Sequence, residues 1–365
     1  MLRPIFTLDY EIHGNGEGCP YRLMVEPTAR MLDQFDRFGA KLTIMAEVAE
    51  IARYRQFADE QREDRFHFAA IVDQLRDAIA RGHDVQLHLH PSYFNARHVV
   101  GRWSQDWSEY DFARLEPERL SELVRFGKSF LEALLQPIDR SYRCNVFRAA
   151  NWSMVPSRNV VRALADSGFC IDTSVYKYGT RDNGVHFDYT AAPSPVVPWK
   201  VAEDDVCMRS VDGPLWEFPI YSEHRPIGAF LTLQRIHRAS LGTLHRHRFA
   251  ANRGEEPSTR RSVRKKRAIL DPRGWMGKHA WKADFNQCTG RQLIGALERA
   301  ACTYCESETD LPFVLIGHSK LYSRLNQWSI GTLLEHVARN PAKYRFGRFR
   351  DIDLAAVARY WSQAH

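Results

Sequence analysis

The first two-thirds of the chain alternates short apolar runs with longer segments in which apolar residues recur every three or four positions. That is the pattern of β-strands alternating with amphipathic helices. The runs IFTL at 5–8, KLTIM at 41–45, DVQLHL at 84–89, NVFRA at 145–149, FCID at 169–172 and PFVLI at 312–316 read as strands. Helices are expected over 27–38, 67–81, 117–135 and 156–167, the first two and the fourth closing at Gly39, Gly82 and Gly168, with later ones at 290–305 and 328–339. Such an order specifies an α/β fold with a mainly parallel sheet, and leaves both a barrel and an open sheet available. Residues 193–235 carry several prolines, an Asp212-Gly213 pair and β-prone runs such as PLWEFPIY, so a local antiparallel addition with a hairpin at 212–213 is expected there. No repeat of fixed period is present.

Composition places the chain among globular proteins, with 44% hydrophobic and 26% charged residues. Apolar runs such as FVLI at 313–316 fall far short of the roughly 18 residues a membrane-spanning helix needs. Carboxylates arrive at Asp9 and Glu11 before a signal-peptide apolar region forms, and the seven cysteines do not resemble a disulfide framework. A cytoplasmic protein is expected, with Cys302 and Cys305 as buried helix thiols. The net charge of +7 is unevenly spread: residues 235–282 hold fourteen Lys or Arg against three acids, a surplus of +11 that leaves about −4 for the rest. A basic insertion at about 235–284 is therefore expected within a single domain spanning 1–365, meeting either solvent or an anionic partner: a diphosphate, an acidic membrane face or nucleic acid.

In parallel α/β folds, ligands gather where strands end, and four strand ends here carry polar side chains. TLDYE supplies Asp9 and Glu11, GHDVQLHLHP supplies His88 and His90, NVFRAANW supplies Arg148 and Trp152, and VLIGHSK supplies His318. Residues two apart on an extended segment face the same side, so each of the first two pairs presents its groups together. Two imidazoles and a carboxylate make a three-ligand site for a divalent metal with one position open for water.

These segments, with DTSV at 172–175, resemble the polysaccharide deacetylases of carbohydrate esterase family four, in their divergent lipopolysaccharide-locus branch. The resemblance runs in motif order from Ile5 to about Lys320, and the basic block has no counterpart in it. It implies a distorted (β/α) barrel of the NodB-like type that hydrolyses the amide of an N-acetylated amino sugar. It further implies Glu11, His88 and His90 as metal ligands, Asp9 as general base, Arg148 as its orienting partner, His318 as general acid in its imidazolium form, and Asp172 as a supporting carboxylate. Two features depart from the family pattern. Ser92, not histidine, stands four residues after His88, so His90 takes the second ligand position; and Tyr10 separates the two acids, the second of which is Glu rather than Asp. Zinc suits such donors, as do cobalt, nickel and iron. Trp152 offers a wall for a sugar ring or an acyl methyl, or else packs in the core. The implied substrate is linked to a nucleotide or a lipid diphosphate in surface-polysaccharide (O-antigen) synthesis, with a peripheral contact at the inner membrane face.

Three rival readings remain. IGHSKL aligns Gly317 and Ser319 with a nucleophile elbow, but Leu321 replaces the final glycine and few acid and histidine partners follow. A carbohydrate-binding barrel without turnover needs no base, orienting residue and acid at three strand ends. Nucleic-acid binding would use RRSVRKKR at 260–267, which belongs to no recognisable fold motif.

Overall fold

The computed structural model describes residues 1–12, 17–99, 101–236, 278–304 and 309–363. Its centre is a nine-stranded sheet. Strands β1 (Leu2–Tyr10), β2 (Leu42–Glu47) and β3 (Asp84–Leu89) come first in the chain. The small hairpin β4 (Arg97–Val99) and β5 (Arg102–Ser104) precedes β6 (Val146–Ala149) and β7 (Ile171–Asp172). A second hairpin, β8 (Thr180–Asn183) and β9 (Val185–Asp188), leads to β10 (Trp199–Ala202), β11 (Asp205–Arg209) and β12 (Trp216–Glu217). Strands β13 (Ser222–Pro226), β14 (Lys278–Lys282) and β15 (Leu311–His318) complete the set.

The sheet order is β11-β10-β12-β7-β6-β3-β2-β1-β15, parallel from β12 to β15. Beyond β12 the chain returns to the far edge: Ile220 N donates to Val175 O at 2.8 Å, and Tyr221 N donates to Val314 O of β15 at 2.9 Å. The sheet thus curls into a distorted α/β barrel, the fold expected. The central strands are buried on both faces, which explains their near-continuous apolar runs.

Helices α1 (Glu26–Arg37), α2 (Val48–Gln61), α3 (Phe68–Ala80), α4 (Pro117–Leu135) and α5 (Ser157–Asp166) follow their strands, with α6 (Gly290–Tyr304), α7 (Arg324–Arg339) and α8 (Leu354–Gln363) later. Sequence periodicity does not disclose α2, because its buried apolar residues crowd into the first two turns and the buried Glu50 interrupts them. Helix α7 opens four residues before the expected start, where Ser323 and Asn326 cap each other's backbone N–H.

The antiparallel addition is present, but its hairpin turn falls at 203–204 and not at 212–213. Strand β10 pairs with β11 on one side and β12 on the other, so Asp212-Gly213 joins two strands that flank a third. Cys302 is exposed, not buried, because it lies off the α6 stripe of Leu293, Ala296, Leu297 and Ala300. Cys305 and most of the basic insertion, 237–277, lie outside the described residues. No helix among the described residues is long and apolar enough to cross a membrane.

Candidate metal centre

Strand register decides which side chains meet. Asp9 pairs with His318 across β1 and β15, while Glu47, His88 and Arg148 form one row across β2, β3 and β6. Residues two apart share a face, so Asp9, Glu11, Glu47, His88, Arg148 and His318 all project to the same side of the sheet at its C-terminal end. Tyr10 points the other way into the core, fully buried, which is how a residue between two acids leaves both facing the site.

Glu11 stands at the centre. Its Oε2 lies 3.2 Å from Nε2 of His88 and 2.8 Å from Nε2 of His90. The three donor atoms lie within 4.8 Å of one another, and all three residues are buried. Nδ1 of His88 is 2.9 Å from the carbonyl oxygen of Arg148, an acceptor only, so this nitrogen carries a proton and Nε2 is the atom turned toward Glu11. A carboxylate oxygen and an imidazole nitrogen at 3.2 Å need a positive charge between them, either a second proton on the ring or a metal cation. A divalent cation fits that requirement, since donors about 2.0–2.2 Å from a tetrahedral centre stand about 3.4 Å apart.

Charge balance gives the same picture. Burial alone would raise the pKa of Glu11, but the Lys320 ammonium and the two imidazoles outweigh it and hold the carboxyl well below its ordinary range. For His88, burial is overcome by the Glu11 hydrogen bond and the charges of Asp9 and Glu11, which push it up to about 9. His90 goes the opposite way, to about 4, because burial wins there over the attraction of Glu11. Of the two imidazoles, His88 is thus the one that holds its proton beside Glu11 and His90 the neutral one.

Asp9 is clamped separately. Its Oδ1 accepts from Nη1 of Arg148 at 2.7 Å. The fully buried guanidinium also donates to Thr7 Oγ1 at 2.8 Å and, from Nε, to Thr173 O at 3.0 Å. Burial would raise Asp9, but Arg148, His88 and His318 together keep it below its ordinary pKa. Oδ2 of Asp9 faces Nε2 of His318 at 3.5 Å, and that nitrogen is 4.0 Å from Oε1 of Glu11. The His318 backbone N–H donates to Asn286 Oδ1 at 2.5 Å. Burial lowers the His318 pKa more than Asp9 and Glu11 raise it. That direction favours the neutral imidazole at rest over the imidazolium expected.

Asp172 is not brought to this group. It is in register with Phe147, one residue off Arg148, and so faces the opposite side of the sheet. There its carboxyl accepts from Ser174 Oγ at 2.7 Å and adjoins Glu217, its register partner on β12. The short β7 strand gave no apolar alternation from which to read the facing. Ser92 is also turned aside, its Oγ donating to Gln105 Oε1 at 2.9 Å. Ser319 is fully buried and its Oγ has no hydrogen-bond partner among the described residues, which gives the nucleophile-elbow reading no base.

Trp152 stands beyond Arg148 on a loop where both Asn151 and Trp152 have positive φ, 54° and 57°. Its carbonyl accepts from Tyr189 OH at 2.5 Å. The Lys282 ammonium lies 3.4 Å from its ring centroid and 4.2 Å from that of Tyr176. The indole is thus half-buried as one wall of a cation-bearing aromatic group.

Sequence reasoning missed Lys320 and Glu47. Nζ of Lys320 donates to Glu11 Oε1 at 2.8 Å and to the Ile12 carbonyl at 2.7 Å. Glu47 caps the start of α2 and accepts from the His90 backbone N–H at 2.8 Å, fixing the second histidine. Burial raises both Glu47 and Glu50 above the usual carboxylate range, helped by the charge of Glu50 on Glu47 and by that of Glu11 on Glu50. Strand-end position was the available signal for Glu47, since KLTIM continues to Ala46 and Glu47; for Lys320 it was the two-residue step from His318.

The fold and its site thus define a distorted α/β barrel with a buried carboxylate and histidine group at the C-terminal ends of its strands. No family profile matches the chain, and no curated protein matches it. Solved structures similar in fold include Puue allantoinase, 16% identical over 100% of this chain and 91% of that one, with a TM-score of 0.47. A putative polysaccharide deacetylase from Mycobacterium smegmatis is 14% identical over 100% and 91%, with a TM-score of 0.47. The 4-alpha-glucanotransferase from Thermococcus litoralis is 11% identical, with a TM-score of 0.50, over 96% of this chain but 39% of its own. At these identities the likeness is one of fold alone.

Proposed function

We propose that this protein is a metal-dependent hydrolase that removes the acyl group from an N-acylated amino sugar. The observation that carries the reading is the convergence of Glu11, His88 and His90 beside an Asp9 clamped by Arg148 and faced by His318. When bound, a divalent cation would supply Lewis acidity toward an amide carbonyl and make water more acidic. Zinc is the first choice for two imidazoles and a carboxylate, with cobalt, nickel and iron also suited.

The chain's own residues then divide the proton work. Asp9, kept ionised by Arg148, takes a proton from water as its oxygen attacks the acyl carbon. His318, neutral at rest and 3.5 Å from Asp9 Oδ2, receives that proton and delivers it to the amine nitrogen as the C–N bond breaks. Asn286 holds the His318 backbone, and Trp152 forms a wall for the sugar or the acyl methyl.

The substrate's carrier, a nucleotide or a lipid diphosphate, and a place in surface-polysaccharide (O-antigen) assembly on the cytoplasmic side rest on the motif resemblance. The basic segment supports an anionic carrier or membrane face. The test is elemental analysis of protein purified without a histidine tag, alongside acetate release from N-acetylated sugar nucleotides. Wild type should hold about one transition metal per chain. His88→Ala/His90→Ala should hold none, and Asp9→Asn should keep the metal but lose turnover. Full activity of Asp9→Asn would remove Asp9 from the role of base, and a metal-free wild type after incubation with zinc, cobalt and nickel would overturn the enzyme reading.

A further inference from the structure

Shortly after β13 the chain reverses the usual direction of polar and apolar side chains. Thr232 and Gln234 are buried, whereas Leu231, Leu233 and Ile236 are 75%, 69% and 59% exposed. Hydrogen bonds hold the two polar residues inward: Thr232 Oγ1 donates to the Gln287 carbonyl at 2.7 Å, and Gln234 Nε2 donates to Ser329 Oγ at 2.9 Å. The second bond sets the segment against the first turns of α7. There Leu325 and Trp328, three residues apart and so on one helix face, are also exposed, Trp328 at 69%. Five of the eleven large apolar side chains exposed among the described residues thus stand on two segments joined by a hydrogen bond. They form a patch, where an ordinary aqueous surface would show them scattered singly.

Cations frame the patch. Phe230, which leads into it, packs edge-on against His279, the neighbour of the exposed Lys278. Gln292 Nε2, at the start of α6, donates to the Ala229 carbonyl at 2.9 Å and brings the exposed Arg291 alongside. Arg324 is exposed in the first turn of α7, next to Leu325. The stretches 224–236, 278–292 and 319–328 contain a single acid, Asp284, and it is buried. The positive surplus of residues 235–282 begins inside the patch, at Arg235. This face also belongs to the site's own end of the barrel. Asn286, whose Oδ1 accepts from the His318 N–H, is the neighbour of Gln287, and Asn326 of α7 donates from Nδ2 to the Asn286 carbonyl at 3.0 Å.

We propose that this face docks on an anionic lipid bilayer, and that the acyl group is removed from a sugar borne by a lipid in that bilayer. Leucine, isoleucine and tryptophan side chains gain by entering the headgroup and acyl boundary, while Lys and Arg around them meet lipid phosphates. A nucleotide or a nucleic acid would account for the cations but leave the outward leucines and Trp328 unexplained; a bilayer with anionic headgroups accounts for both. The choice of a lipid over a nucleotide as carrier rests on the deacylase reading; the docking does not.

Co-sedimentation of the full chain with vesicles of phosphatidylcholine, alone or mixed equally with phosphatidylglycerol, tests the docking without turnover. The chain should bind the mixed vesicles and not the pure phosphatidylcholine ones, and high salt should weaken the binding. Trp328→Ser and Leu233→Ser should each weaken it about tenfold, and Arg324→Gln about fivefold, with metal content unchanged. All three side chains are exposed, so the variants keep the fold. No binding to the mixed vesicles, or undiminished binding in Trp328→Ser and Leu233→Ser, would overturn the proposal. A dimer in sedimentation equilibrium that Trp328→Ser dissociates would give the face to a second copy of the chain and overturn it as well. Faster acetate release from an N-acetylated sugar nucleotide than from a lipid-linked N-acetylated sugar in the same vesicles would return the carrier to a nucleotide. If vesicles bind as described while no N-acetylated sugar, soluble or lipid-borne, is hydrolysed, the docking face stands and the deacylase reading falls. If soluble N-acetylated sugars are hydrolysed and no vesicle binds, the reverse holds.

Discussion

Replacing Glu217 with glutamine should make the protein markedly more resistant to alkali. Glu217 and Asp172 are both fully buried and stand in register on adjacent strands. Asp172 accepts from Ser174, and Glu217 Oε1 accepts from the Val175 N–H at 3.0 Å, while Glu217 Oε2 has no donor among the described residues. A proton on the pair lets the two carboxyls bond to each other. Burial raises both pKa values, and the charge of Asp172 adds to the elevation of Glu217. The folded chain therefore keeps a proton that the unfolded chain releases near the ordinary carboxylate pKa. Stability from this source is complete below that pKa and is lost as pH rises toward the folded value. The loss is about 1.36 kcal/mol for each pH unit over which the extra proton is retained. The side-chain amide introduced by Glu217→Gln would give Asp172 a permanent donor of nearly the same volume and remove most of that slope. Urea unfolding at unit pH intervals from weakly acidic to alkaline measures it, and Asp172→Asn should flatten the slope likewise while leaving metal content and turnover in place. An unchanged slope in Glu217→Gln would refute the shared proton, and loss of turnover in a stable Asp172→Asn would restore Asp172 to the chemistry.

Two further outcomes follow from groups away from the site. His83 is pushed down to about 4, chiefly by burial, with Lys41 and Arg81 adding to the effect against Asp36; its Nδ1 also accepts from the Leu42 N–H at 3.0 Å, a bond that protonation there would break. The unfolded chain then binds the extra proton between the ordinary value of 6.5 and about 4, so stability should fall across that window by on the order of 3 kcal/mol, and His83→Gln should lose most of this acid sensitivity in unfolding titrations. Gly317→Ala would place a Cβ 1.8 Å from Cε2 of Phe285, so it should cost about 1–3 kcal/mol or more in urea unfolding, which assigns the glycine of GHS to packing; a neutral effect would refute that assignment.

Much of the architecture was legible because its signals are local. Strand-and-helix alternation, glycine stops and runs buried on both faces depend on neighbours a few residues apart. The two-residue steps from Asp9 to Glu11 and from His88 to His90 likewise required those groups to emerge together, whichever way the strand faced. The sequence could not say which face that was. Asp172 ends a strand as Arg148 nearly does, yet the register with Phe147 turns it to the outside of the barrel, where Glu217 becomes its partner. The length and quiet periodicity of α2 were hidden because Glu50 is buried by contacts with other elements, including the Ile12 N–H donating at 2.8 Å.

By itself, then, the sequence determined an α/β chain whose strand ends carry two acids, two paired histidines, an arginine and a late histidine. Only the tertiary structure decided that β15 lies beside β1, bringing Lys320 and His318 onto carboxylates about 309 residues away in the chain. Only it placed Glu47 behind His90. The physical reason is range. Side-chain direction within an element follows from the backbone repeat, whereas strand order, register and barrel closure are set by long-range burial and hydrogen bonding that no short window of residues contains.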